Sequence, residues 1–350
     1  MLDKSKCAFL ELLRAGLWEQ DARLLTNEGT DYNEVLQLAQ DQAVTGLVAA
    51  GLERVSDKSI PKVIALQFAG QSLQLEQRNL LMNRFIGVLV EKMNKAGVTS
   101  VLVKGQGVAQ CYQKPQWRAS GDVDFLFDKE HYQKSVDLLF PLSSGSKPEG
   151  RYSKHLGLSI HEWYVELHGT LRSGLSSRID KVIDEVQDDT FAHNHFRTWK
   201  NGVTDVHLPS PDNDVFFIFT HFIKHFYKEG LVLKQLCDLC RLLWTYRDSL
   251  DIQLLNSRVR KAGLMAEWKG FAAVAVDYLG MPAEAMPMYD PHYRKKGERI
   301  LGFLIKGYSG NKIHDTWNIA KVYPWQAIIY LPSIMLNVNS LKIKERLFER

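Results

Sequence analysis

The 350-residue chain is 45% hydrophobic, 11% aromatic and 24% charged, an ordinary globular balance with enough apolar residues for a large core in two domains, or in one with extensions. Its net charge of +4 is too slight to indicate nucleic-acid binding. Four cysteines, Cys7, Cys111, Cys237 and Cys240, make no disulfide framework in so long a chain and point to a reducing compartment.

The N-terminal stretch MLDKSKCAFLELLRAGLWEQ scatters charges among its apolar residues and reads as an amphipathic helix, not a secretory leader. Helical spacing continues in LQLAQDQAVTGLVAAGLERV, read as one helix, and in VIALQFAGQSLQLEQRNLLMNRFIGVLVEKMNKAG, with Gly97 as the stop. The period then changes. TSVLV (99–103) is a short β-branched run, GQGVAQCYQ a short helix, and DVDFLF (122–127) alternates strictly. KEHYQKSVDLLF returns to helical spacing, and SSGSKPEG (143–150) reads as a loop. GLSIHEWYVELHG (157–169) holds two β-like runs, the second being WYVELH. After NGVTDVHLPSP the chain reads as helical from Asp212 to about Arg260 and mostly so beyond. AIIYLPSIML (327–336) is too short to span a bilayer and is broken by Pro332. The terminal KIKERLFER reads as a charged amphipathic helix with a solvated face. The expected class is α+β: a small mixed β-sheet core over 98–210, between helical regions at 1–97 and 211–350, in a soluble cytoplasmic protein.

Successive strand residues point to opposite faces. Asp122 and Asp124 therefore share a face with Leu126, while Val123, Phe125 and Phe127 form the core face. Carboxylates this close raise each other's pKa unless a cation lies between them. A divalent ion such as Mg²⁺ answers that need, with carboxylates, phosphates and water as ligands. Taken alone, an Asp-x-Asp pair is more often the wet face of a strand. Three neighbours argue for the metal. VLVKGQG (101–107) runs from strand through a Lys104-Gly105 turn into a helix, a natural phosphate cradle in which Lys104 adds a point charge. Arg118, just before the acidic strand, is placed to grip a phosphate or to pair with a carboxylate. Glu166 lies in WYVELHG, on one face with Tyr164 and His168.

These residues together resemble the DNA polymerase β-like nucleotidyltransferase superfamily. More narrowly, VLVKGQGVAQCYQKPQWRASGDVDFLF followed by VELHGTL is similar to a bacterial family of uncharacterised nucleotidyltransferases, over roughly residues 5–250. The resemblance implies that Asp122 and Asp124 are the metal-binding pair. Glu166 would be the third acid, ligand to a second metal and base toward the acceptor hydroxyl. Gly105 would lie close to the triphosphate, with Gln106 next to it and His168 as a further substrate contact. Many superfamily members carry Gly-Gly or Gly-Ser at this turn, whereas this chain has Lys104-Gly105-Gln106, as the narrower family does. The implied reaction moves a nucleoside monophosphate from a nucleoside triphosphate, ATP among the choices, to an unidentified acceptor. Two Mg²⁺ or Mn²⁺ ions would clamp the attacking and leaving oxygens. A catalytically idle nucleotide-sensing or partner-binding relative, and a toxin or antibiotic-modifying enzyme, stay open as alternatives.

Two other constellations carry less. THFIKHF sets His221 and His225 at the spacing of a zinc-protease helix, but Phe222 stands where that motif needs its glutamate. By the resemblance, this segment packs near the nucleotide, making His221, His225, Lys224 and Lys234 substrate-contact candidates; a half-buried helix face is the more common reason for such a pattern. LKQLCDLCRLL offers Cys237 and Cys240 as half a zinc site, yet leucines at helical spacing around them read as core. Asp238 reads as an exposed position of that helix. No basic aromatic stripe marks a nucleic-acid platform.

Overall fold

In a computed structural model of the chain, the described residues are 3–24, 29–56, 60–147, 154–307, 312–330 and 332. Four helices lead: α1 (Lys4–Trp18), α2 (Tyr32–Asp41), α3 (Thr45–Leu52) and α4 (Lys62–Lys95). They are followed by β1 (Val101–Val103), α5 (Gly105–Ala109), β2 (Asp122–Leu126), α6 (Lys129–Leu139), β3 (Gly145–Lys147), β4 (His155–Ile160) and β5 (Trp163–His168). Then come α7 (Ser177–Ala192), a hairpin of β6 (Phe196–Asn201) and β7 (Thr204–Pro209), α8 (Pro211–Lys228) and α9 (Leu233–Tyr246). The last described helices include α10 (Ile252–Ala262), α11 (Met265–Asp277), α12 (Arg294–Lys306) and α13 (Lys312–Val322). This is an α+β protein with a small mixed sheet between helical segments, as expected. The terminal KIKERLFER lies outside the described residues. Among the described residues, no helix is long and apolar enough to cross a membrane.

The five-stranded sheet runs β1-β2-β5-β4-β3. Only β2 and β5 are parallel; the other neighbours are antiparallel. Both faces of β2 are covered. Val123, Phe125 and Phe127 pack into one cluster with α4 residues Met82, Ile86 and Leu89. Leu126 joins a second, larger cluster with Phe222 and Leu236 from α8 and α9. The carboxylate side of the strand is therefore no open wet face, because helices from after the sheet lie over it.

Three local readings change. The single helix expected at LQLAQDQAVTGLVAAGLERV is two. Ala43 takes φ 54°, Val44 N–H bonds the Ala39 carbonyl at 2.8 Å, and the chain turns before α3. The turn brings Gly46 against the Trp117 carbonyl: a Cβ there would lie 2.0 Å from that oxygen, so only glycine admits the contact. Within SSGSKPEG, residues 145–147 form the edge strand β3 rather than loop. The hairpin β6–β7 was not expected at all; it packs beside β1 and α4, where Leu208 joins the cluster under the sheet.

Candidate active site

The parallel register of β2 and β5 sets Asp122 opposite Tyr164, Asp124 opposite Glu166 and Leu126 opposite His168. Side chains of paired positions project from the same face, so the two aspartates and the glutamate converge. One carboxylate oxygen from each of Asp122, Asp124 and Glu166 lies within 4.8 Å of the others. Asp122 is exposed, Asp124 buried and Glu166 half-buried, so the cluster opens from a protected floor to solvent.

Its electrostatics show a need for positive charge. Lys104 follows β1 directly and places Nζ 2.9 Å from Asp124 Oδ1. The turn holding it is tight, with φ 60° at Lys104 and 31° at Gly105. Burial works against the Lys104 ammonium, but Asp124 and Glu166 hold its pKa above the ordinary value. Asp122 is pushed up, first by the negative charge of Asp124 and then by the protein around it. Asp124 is held below the usual carboxylate range: burial opposes its charge, while Lys104 and the His168 imidazole, 2.7 Å from Oδ1, outweigh it. Burial likewise opposes charge on Glu166, and the imidazoles of His155 and His168 beside it bring its pKa well down. The donor set is three carboxylates with one local ammonium. All-oxygen ligands with excess negative charge suit a hard divalent cation.

Two adjoining clefts meet at this face. One is lined by Lys104, Gly105, Arg118, Asp122, Asp124, His221, His225 and Lys234. The other shares Lys104, Asp122, His221 and His225, and adds His155, Glu166, His168, Arg172 and Lys224. Eleven of the twelve residues singled out in the sequence thus stand around one hollow, across sheet, turn and helices. Gln106 does not line it. Buried, it turns toward α4 and donates to Asn79 Oδ1 at 2.7 Å.

Several of these side chains have definite partners. Arg118 pairs with a carboxylate: Nε and Nη2 donate to the two oxygens of Asp238 at 2.7 and 2.6 Å, and both residues are buried. Asp238 is accordingly not the exposed helix position expected; Tyr112 also donates to it at 2.7 Å. His221 and His225 meet through their Nε2 atoms at 3.0 Å. Burial lowers the pKa of both, so one neutral ring donates to the other. Lys224 pairs with Glu229 at 3.1 Å. Burial, then the Arg118 charge, lowers the pKa of Lys234. Cys237 and Cys240 are fully buried in the main core, and no cysteine belongs to a group of potential metal ligands among the described residues.

His155 was missed in the sequence. It lies on β4 directly across from His168, with the two rings parallel, 4.7 Å apart and 2° from coplanar orientation. A legible signal existed. With only two residues joining β4 and β5, pairing Ile160 with Trp163 also pairs His155 with His168.

Residues 28–280 match the protein family described as uncharacterised nucleotidyltransferase. A solved structure, an antigenic nucleotidyltransferase-like protein from Paracoccidioides brasiliensis, is similar at 12% identity and a TM-score of 0.34, over 57% of this chain and 92% of that one. No curated protein matches the chain. The family match takes in the whole sheet, the acidic cluster and α8 and α9, and the chain belongs to the uncharacterised nucleotidyltransferase family.

Proposed function

We propose that this protein transfers a nucleoside monophosphate from a nucleoside triphosphate to an acceptor hydroxyl, releasing pyrophosphate, with Mg²⁺ or Mn²⁺ held by Asp122, Asp124 and Glu166. One observation carries the reading: three carboxylates from two parallel strands converge within 4.8 Å where two adjoining clefts meet, clefts that also present Lys104, Lys234 and two histidines. When bound, the ions offset charge on the attacking and leaving oxygens.

The chain's own residues do the rest. Asp122 and Asp124 would hold the ions, and the ions would supply the charge that draws the triphosphate to this end of the cleft. Lys104 and Lys234 face the phosphates, and the neutral, mutually bonded His221–His225 pair lines the same wall. The acceptor oxygen forms its bond to the α-phosphorus as the bond to the pyrophosphate oxygen breaks. Glu166, held ionised by the His155 and His168 imidazoles, orients the acceptor hydroxyl, and the proton released leaves through the open side of the cleft. Arg118 acts indirectly here, since its guanidinium is committed to Asp238; it fixes the segment leading into β2. A non-catalytic, nucleotide-sensing reading has one observation in its favour: the Lys104 ammonium already satisfies Asp124.

The full-length protein should bind nucleoside triphosphate with Mg²⁺ in calorimetry and release pyrophosphate from it with a cell extract as acceptor source. Changing Asp122→Ala and Asp124→Ala together should remove both. Unchanged triphosphate affinity in the double variant overturns the reading; binding without pyrophosphate release selects the sensing alternative.

A further inference from the structure

The donors at the inner end of the cleft are not all oxygens. His155 Nε2 lies 3.1 Å from Glu166 Oε2, and His168 Nε2 lies 3.3 Å from the same oxygen. One atom from each of the three falls within 4.8 Å of the others. Donors about 2.1 Å from a shared ion stand about 3.0 Å apart at right angles and about 3.4 Å apart in a tetrahedron. Both histidine-to-glutamate separations lie between these. His155 Nε2 is also a buried nitrogen whose near partner is that glutamate oxygen, an ion-pair approach that leaves it without a hydrogen bond. A buried, orphaned lone-pair donor is costly in a finished structure, and coordination would satisfy it. The two imidazoles are held side by side by strand pairing, and because their rings lie parallel, one must turn about χ2 for both Nε2 lone pairs to meet at one ion.

We propose that His155, Glu166 and His168 form a transition-metal site, a two-histidine, one-carboxylate set selecting Zn²⁺, Co²⁺ or Mn²⁺ over Mg²⁺. Imidazole nitrogen suits such ions, whereas Mg²⁺ demands oxygen. His168 binds through Nε2 with its proton on Nδ1, giving up its contact to Asp124 Oδ1. The site stands on its own donors. It rests on the proposed nucleotidyl transfer only for its consequence, a centre in which Glu166 links an ion of this class to the one held by the aspartates.

The test uses full-length protein stripped of metal and titrated with Co²⁺, followed by calorimetry and by the visible absorption of the ion. His193→Ala and His195→Ala are present throughout, because Asp189, His193 and His195 form a separate exposed group able to bind the same ion. With excess Mg²⁺ present to occupy the carboxylate site, one equivalent of Co²⁺ should still bind without nucleotide and should not be displaced. His155→Ala and His168→Asn should each weaken binding by about tenfold or more, with unchanged circular dichroism. His155 is half-exposed, so its variant removes a ligand with little loss of packing. Equal Co²⁺ affinity with and without His155, or displacement by Mg²⁺ at similar concentration, overturns the proposal. If nucleotidyl transfer itself is wrong, Co²⁺ binding persists while no triphosphate binds or turns over with any metal, so the two failures are distinct.

Discussion

At the residue scale the informative contrast is between Arg118 and Asp124. Both precede or open the same strand and both are buried, yet their charges are met differently. Asp124 is offset by Lys104 and His168 in a hollow that reaches solvent. Arg118 is closed off by Asp238, 120 positions away. The sequence left phosphate and carboxylate both open for Arg118, since nothing local distinguishes them and a partner on α9 comes only with the tertiary fold. The aspartate pair was legible because strand alternation is local, and Glu166 because its strand is short and patterned. The pair Arg118–Asp238 yields a stability prediction. Removing one partner of a buried, doubly bonded ion pair strands the other charge, at about 3–5 kcal/mol. Asp238→Ala should lower the urea midpoint accordingly. A double change of Arg118→Met with Asp238→Leu should recover much of the loss. If Asp238→Ala alone costs under about 1 kcal/mol, the pair is screened and surface-like.

At the element scale, what was readable depended on whether an element carries its own burial pattern. The 34-residue α4 repeats apolar positions over many turns, and β2 and β5 alternate. By contrast, β6 has no fully buried residue, so its sequence FRTWKN shows no alternation. It owes its place to pairing with β7, and the Asn201-Gly202 pair at the turn was the available hairpin signal. The break between α2 and α3 has no marker, because QDQAVTG keeps helical spacing; the contact of Gly46 with Trp117 rewards it. That contact matters for the site, since Trp117 and Arg118 lead into β2. Asn79 of α4 pins the same segment by donating to the carbonyls of Gln116 and Arg118 at 2.7 and 2.8 Å. Gly46→Ala must push this segment away, and overpacking of this kind costs about 1–3 kcal/mol. We expect a lower melting temperature together with weaker triphosphate binding, because the aspartates are carried on the displaced chain. Gly70→Ala, in α4 with nothing within 4 Å of the added carbon, is the control. It should stabilise by up to about 1 kcal/mol and leave binding unchanged. Equal effects from the two changes would mean that the α3 contact does not position β2.

At the scale of the whole molecule, the larger core runs from Ala8 to Tyr330 and includes Val101, Val103 and Leu126 of the sheet. Helices from before and after the sheet thus share one apolar interior with the strand that bears the aspartates, and a charge placed in that interior acts on the whole. Glu267 is such a charge. It is fully buried on α11, Tyr227 donates to its Oε1 at 3.1 Å, and Oε2 has no partner. Burial raises its pKa from 4.5 to about 7. The sign follows from proton counting. Between these values the unfolded chain releases the proton and the folded chain keeps it, so the folded state binds more protons and stability falls as pH rises. The decline should begin near pH 4.5, flatten above about pH 7 and total about 3 kcal/mol. Glu267→Gln keeps the shape and the Tyr227 contact without a titrating proton. Melting temperatures of the two proteins, measured from pH 5 to 8, should coincide at the acid end and separate in favour of the glutamine variant toward pH 8. Parallel curves across that range would show that Glu267 meets water or a cation in the folded state, and that the shared interior does not carry its charge.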